Sequence, residues 1–214
     1  MKAQDLRLYL VTDRLAAKGR DAKSVIAAAL KGGVTMIQVR EKNSSAREFM
    51  AFAETVKELA SPYGVPVIIN DRVDVALAVR ADGVHLGQSD IPCEVARAML
   101  GRESIIGLSV EKMAQIPEAN SLSVDYIGVS PVFATPTKTD TAEPFGLAGL
   151  SQAVKLSGHP VVAIGGVNIE TAPGILACGV DGLAVVSAIM GAGDPQAAAS
   201  ALKGLWGISC GSNG

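Results

Sequence analysis

The sequence predicts a closed (β/α)₈ TIM barrel forming a single α/β domain, and three observations point there. Short runs of branched apolar residues recur roughly eight times along the 214 residues. Helical patterns separate them. The runs are nearly all apolar instead of alternating, as strands covered on both faces must be. An open, doubly wound sheet is the competing architecture. Both put the ligand beyond the carboxyl ends of the strands.

In chain order the expected strands are "LYLVT" (8–12), "MIQVR" (36–40), "VPVIIN" (65–70), "GVHLG" (83–87), "IIGLSV" (105–110), "DYIGVS" (125–130), "PVVAIGG" (160–166) and "GLAVVS" (182–187). The clearest helix lies over 45–60. There Phe49, Phe52, Ala53, Val56 and Leu59 recur at helical spacing, and Arg47, Glu48, Glu54, Lys57 and Glu58 take the other face. Gly32-Gly33, Gly64, Gly101, Gly158 and Gly179 stand where successive helical stretches end. Residues 1–206 therefore read as the barrel, and 207–214, "GISCGSNG", as a disordered tail.

Composition suits a large core of small side chains: 49% hydrophobic residues, 23 glycines and only 19% charged. A formal net charge of −2 gives no global attraction to nucleic acid or an anionic membrane. Cys93, Cys178 and Cys210 are widely spaced and form no CxxC, which fits a reducing cytoplasm better than a disulfide framework or zinc site. The N-terminal segment carries charges where a signal peptide needs an apolar stretch, and no apolar run approaches the ~20 residues of a membrane span. A soluble, cytoplasmic protein acting on small molecules is expected, with a homo-oligomer left open.

The stretch "MIQVREK" breaks the apolar rule. Gln38, Arg40 and Lys42 fall at i, i+2 and i+4, so the two-residue period puts them on one face. In a parallel barrel that face is the interior, near the mouth. Such donors suit an anionic or heteroaromatic ligand. "IINDR" sets Asn70 and Asp71 after the third strand, and "VHLGQSD" sets Gln88 and Asp90 after the fourth. One βα unit separates the two aspartates, so adjacent strands bring them together. Two carboxylates plus ligand oxygens are the usual way to hold Mg²⁺. Either carboxylate could instead cap a following helix.

Ser109 ends the fifth strand, and "SPVFATPTKTDT" follows the sixth with Thr135, Thr137 and Lys138. "AIGGVN" and "VVSAIM" lead from the last two strands toward helices, where barrels commonly bind phosphate. Only His85 and His159 are present, and His85, inside an apolar run, reads as a hydrogen-bonded barrel residue and not a base. No nucleophile elbow, P-loop or dinucleotide fingerprint occurs. The pattern suits departure of a diphosphate with its charge stabilised by the site.

In their order "QVREK", "NDR", "HLGQSD", "GLS", "GVSPVFATPTK", "AIGG" and "VVSA" make residues 6–206 closely similar to the thiamine-phosphate synthase family. The resemblance implies a transferase barrel that joins 4-amino-2-methyl-5-hydroxymethylpyrimidine diphosphate to a (carboxy)thiazole phosphate, releasing diphosphate by dissociative substitution. It assigns Gln38, Val39, Arg40, Glu41, Lys42, Asn70, Ser109 and Lys138 to the pyrimidine diphosphate. Of these, Arg40, Lys42, Ser109 and Lys138 would stabilise the departing charge. Thr135, Pro136, Thr137, Gly166, Val186 and Ser187 would hold the thiazole phosphate, and Asp71 and Asp90 one Mg²⁺ per subunit. The stretch "TDTAEPF" after Lys138 departs from the pattern. A thiazole tautomerase, a sugar-phosphate isomerase or epimerase, and a non-catalytic phosphate-ligand sensor are the alternatives. Intact "QVREK", Asp71, Asp90 and Lys138 disfavour the first, and the lack of an evident base the second.

Overall fold

The structure, a computed structural model, describes residues 3–134 and 143–208. Eight parallel strands close a barrel in sequence order: β1 (Leu8–Val11), β2 (Met36–Val39), β3 (Val67–Asn70), β4 (Gly83–Leu86), β5 (Ile105–Val110), β6 (Tyr126–Val129), β7 (Val161–Ile164) and β8 (Gly182–Val185). β8 pairs back onto β1, Tyr9 opposite Ala184, which decides for the closed barrel over the open sheet. Each strand lies within a run the sequence marked.

The helices are α1 (Ala22–Lys31), α2 (Ala46–Ala60), α3 (Val73–Val79), α4 (Cys93–Leu100), α5 (Ile116–Ala119), α6 (Gly146–Leu156), α7 (Ala172–Leu176), α8 (Ser187–Met190) and α9 (Pro195–Ile208). Their ends have local causes. Asp21 accepts hydrogen bonds from the Lys23 and Ser24 N–H groups to start α1. Ser45 and Glu48 form a reciprocal capping box on α2, which buries Phe49, Phe52, Ala53 and Val56 as its period requires. Gly33, at φ +98°, turns the chain out of α1. At the other end of the chain α9 continues to Ile208, past the boundary expected at 206, and Trp206 packs against the core there. Residues 209–214 lie outside the described residues.

Alternate strand residues sort into two cores. Leu8, Leu10, Ile37, Val39, Ile69 and Leu86 face outward and pack with the helices. Leu6, Tyr9, Val11, Met36, Ile68, Ile105, Tyr126, Val162 and Ala184 fill the barrel interior. Each large side chain so buried contributes roughly 1.5–3 kcal/mol. The interior set is apolar low in the barrel and gives way to polar groups toward the mouth.

A repeated device closes the opposite end. Thr35, Asp82, Asp125 and Asp181 immediately precede β2, β4, β6 and β8. Each side-chain oxygen accepts the N–H of a residue at the start of the preceding strand: Leu8 (2.9 Å), Val67 (2.7 Å), Ile106 (2.8 Å) and Val161 (2.8 Å). The backbone N–H of the same four residues donates to the same partners' carbonyls. The glycines that follow two of the aspartates are required by space, since a Cβ on Gly83 would lie 1.9 Å from the Ile105 carbonyl oxygen and one on Gly182 2.3 Å from that of Leu6. The barrel floor is thus built from four βαβα units, leaving the far end to chemistry.

Candidate active site

A cavity of about 540 Å³ opens at the carboxyl ends of the strands. Gln38, Arg40 and Lys42 all line it, as the alternation in "MIQVREK" requires. Arg40 leaves the sheet from a fixed point: its N–H donates to Thr12 Oγ1 (3.1 Å), while the Thr12 N–H donates to the Gln38 carbonyl (2.9 Å). The fully buried Thr12 therefore prolongs the β1–β2 ladder one step with its side chain. A lone threonine at a strand end carries no mark of this role in the sequence.

Val39 and Glu41 have the opposite parity, and their side chains do not join the cavity. Val39 is fully buried among the helix-facing residues. Glu41 pairs with Arg14 (2.9 Å) and accepts from Ser44 Oγ (2.6 Å). Arg14 in turn lies 4.3 Å from the centre of the Phe52 ring, which ties the turn after β1 to α2.

Asp71 and Asp90 both line the cavity. Neither serves as a helix cap: the residues at those positions, Arg72 on α3 and Pro92 on α4, make no side-chain capping bond. Asp71 sits in the left-handed region at φ +61°, where its N–H donates to the His85 carbonyl (2.9 Å). Aspartate tolerates that conformation better than most residues. Asp90 accepts the Gly87 N–H on Oδ2 (2.6 Å). Burial and the adjacent Asp90 carboxylate push the Asp71 pKa up to about 6, against the lowering effects of Asn70 and Lys42. Two carboxylates forced together in a half-buried mouth are relieved by a cation. Among the described residues no cluster of three or more His, Cys, Asp and Glu could hold a metal. Two carboxylates leave coordination places for waters and ligand oxygens, the ligand set that Mg²⁺ takes.

Below the mouth a hydrogen-bonded file crosses the barrel. Gln38 Nε2 donates to the Tyr9 hydroxyl (2.9 Å), which lies 2.8 Å from that of Tyr126. The Tyr126 hydroxyl is 2.9 Å from His85 Nδ1, and His85 Nε2 is 2.9 Å from Ser109 Oγ. His85 is a hydrogen-bonded barrel residue, as expected, and links a predicted site residue to two tyrosines that were not predicted. Register makes room for it. Gly107 pairs with both His85 and Tyr126, whose rings stack at 5.5 Å. A Cβ on Gly107 would lie 2.1 Å from Tyr126 Cζ. The available signal was an inward-parity tyrosine in each of two otherwise apolar runs, with a glycine at the matching level between them.

At the opposite side, Gly166, Val186 and Ser187 line the cavity. Gly165 and Gly166 have φ +102° and +69°, and a Cβ on either would meet residues 131–133 at 2.8 Å. Only glycine fits this turn without a shift. Ser187 opens α8 directly after β8. The turn after β7 differs from expectation: α7 begins only at Ala172, after a turn in which the Asn168 side chain accepts the Glu170 and Thr171 N–H groups. Backbone N–H groups of the glycine turn, and no helix end, are what β7 offers a phosphate. Thr135, Pro136, Thr137 and Lys138 lie outside the described residues. On either side of that stretch, the Phe145 and Gly146 N–H groups donate to the Pro131 and Val132 carbonyls (2.9 and 3.0 Å).

Fold and site together define a (β/α)₈ barrel whose mouth gathers cationic side chains, a carboxylate pair and a glycine turn around one cavity. The chain belongs to the thiamine monophosphate synthase family, whose model matches residues 8–189. It is 53% identical to a thiamine-phosphate synthase of Albidiferax ferrireducens over 96% of this chain and 94% of that one. A thiamine-phosphate synthase of Vibrio campbellii is also 53% identical, over 93% and 97%. Among solved structures, thiamine phosphate pyrophosphorylase from Pyrococcus furiosus matches with a TM-score of 0.88 and 41% identity, covering 98% of this chain and 99% of that one.

Proposed function

We propose that this chain is a thiamine-phosphate synthase, joining a pyrimidine methyl diphosphate to a thiazole phosphate with release of diphosphate. The observation that carries the reading is the juxtaposition of Arg40 and Lys42 with the Asp71/Asp90 pair in a single cavity that also contains the Gly165-Gly166 turn. A site for two anionic ligands, one of which must depart, has this composition.

The chemistry follows from charge. Diphosphate leaves a carbon only if its growing negative charge is met as the C–O bond breaks. Arg40 and Lys42 project from β2 toward that group, with Lys138 assigned to it from the loop after β6, and Ser109 offers a hydroxyl from β5. Mg²⁺ held by Asp71 and Asp90 would supply further positive charge to the leaving oxygens. The amino group of the pyrimidine stabilises the methylene cation left behind. The thiazole nitrogen, fixed near by a phosphate seated against Gly166, Val186 and Ser187, then forms the new C–N bond. Proton abstraction by the protein is not required, in keeping with a mouth that holds paired and cationic groups.

Incubating the pure protein with both substrates and Mg²⁺ tests the reading. Thiamine phosphate and diphosphate should appear in equal amounts. A protein that only rearranges the thiazole, or only binds it, would release no diphosphate.

A further inference from the structure

The direction of the file from Gln38 to Ser109 decides what Ser109 can do. An amide nitrogen only donates, so Gln38 Nε2 gives its hydrogen to the Tyr9 oxygen. The Tyr9–Tyr126 and Tyr126–His85 Nδ1 bonds beyond it admit either donor. Taken forward from Gln38, Tyr9 donates to Tyr126 and Tyr126 to His85 Nδ1. A ring nitrogen that accepts leaves the proton on the other, so Nε2–H donates to Ser109 Oγ. Ser109, its lone pair engaged from behind, has its own hydrogen to give toward the mouth.

We propose that Tyr126 and His85 are positioning residues that lock the Nε2–H tautomer of His85 and so present Ser109 as a hydrogen-bond donor to the departing diphosphate. The proposal rests on the coupling reading for the identity of that acceptor. With Tyr9 accepting from both Gln38 and Tyr126 instead, the later bonds reverse and Ser109 would donate into His85. It would then turn lone pairs to an anion, or be activated as a nucleophile. The two directions make opposite chemistries from one geometry.

Two further features keep the file intact. Tyr9 and Tyr126 are almost wholly buried, and burial holds both phenols well above their ordinary pKa, so each keeps the hydrogen the file passes on. Gly107 and Gly128 leave space where a Cβ would press on His85, at 2.5 Å from Nδ1 and 3.1 Å from Cε1. The imidazole is therefore held by packing as well as by hydrogen bonds.

Nitrogen-15 NMR of the intact protein reads the tautomer without any substrate. Only two histidines are present, and His159→Gln leaves the His85 signals alone. His159 is remote from the cavity, its Nε2 bonded to the Ala119 carbonyl. The wild type should show His85 protonated at Nε2 and bare at Nδ1. Tyr126→Phe should release that preference and lower kcat about tenfold while KM for both substrates changes less than twofold. Tyr9→Phe should keep the tautomer, because Tyr126 still donates, and reduce kcat less. A wild-type His85 protonated at Nδ1 overturns the proposal whether or not the variants fold. So does a Tyr126→Phe protein with unchanged tautomer and unchanged kcat. Absence of coupling in the wild type with the Nε2–H tautomer present would instead refute the functional reading alone, leaving the orientation of Ser109 standing.

Discussion

Asp71 and Asp90 line the same mouth, and burial together with the adjacent Asp90 carboxylate pushes the Asp71 pKa up to about 6. Without a cation the pair therefore opposes folding. The folded-state pKa exceeds the ordinary 3.8, so the folded protein holds the extra proton between those values. Stability must fall as pH rises through that window, and the cost is fully present above pH 6.

Asp71→Asn should consequently stabilise the metal-free protein at pH 8. Allowing for screening at a half-exposed mouth, the gain is on the order of 1 kcal/mol. Asparagine also accepts the left-handed backbone at this position. Thermal melts with chelator at pH 8 and pH 4 check it: the gain should be present at the first and absent at the second.

The barrel floor predicts the converse. Asp181→Ala leaves the Val161 N–H without its carboxylate partner and should cost about 1–3 kcal/mol. Because the floor is remote from the mouth, kcat at a temperature where the variant is folded should stay within twofold. Urea unfolding combined with steady-state rates separates the two effects.

Bond order at the reacting carbon is open to direct measurement. If the pyrimidine cation precedes attack, replacing the ring methyl by an electron-withdrawing group should slow turnover by about two orders of magnitude or more with little change in binding. A rate insensitive to that substituent would favour concerted displacement.

The two ligand halves should separate kinetically. Ser187→Ala should mainly raise KM for the thiazole phosphate. Lys138→Ala should lower kcat, because its charge matters most as diphosphate charge develops. Gly166→Val is a poor probe of the same subsite, since φ +69° and Phe133 at 2.8 Å would disturb the turn itself. Varying each substrate in turn checks the division.

Much of this architecture was legible in the residues. The strands read correctly because a parallel barrel makes each an almost unbroken apolar run, and Gln38, Arg40 and Lys42 stood out because they interrupt one at a period of two. Asp71 and Asp90 were legible from their place at the ends of adjacent strands. Val39 and Glu41, assigned through the resemblance, have the opposite parity, which sends their side chains to the helix side and to Arg14. Tyr9, Tyr126 and Thr12 escaped notice because an aromatic or a threonine in a strand is ordinary by composition. The inward parity of the two tyrosines was a signal, but their partners are set by cross-barrel register, which no local pattern encodes. The floor repeat was present as Asp-Gly before "VHL" and "LAV", with Thr35 and Asp125 in the same role, but identical chemistry from two residue types hides a repeat.

The central claim is that the Asp71/Asp90 mouth, charged with a divalent cation, drives departure of diphosphate. The most direct test is the initial rate of thiamine phosphate formation in wild type, Asp71→Asn and Asp90→Asn across an Mg²⁺ titration that begins from EDTA-treated protein. Wild-type activity should be absent without metal and return with Mg²⁺. Each variant should be slower by about 100-fold or more at saturating metal while melting as a folded protein. Full activity in EDTA, or variants as fast as wild type, would contradict it.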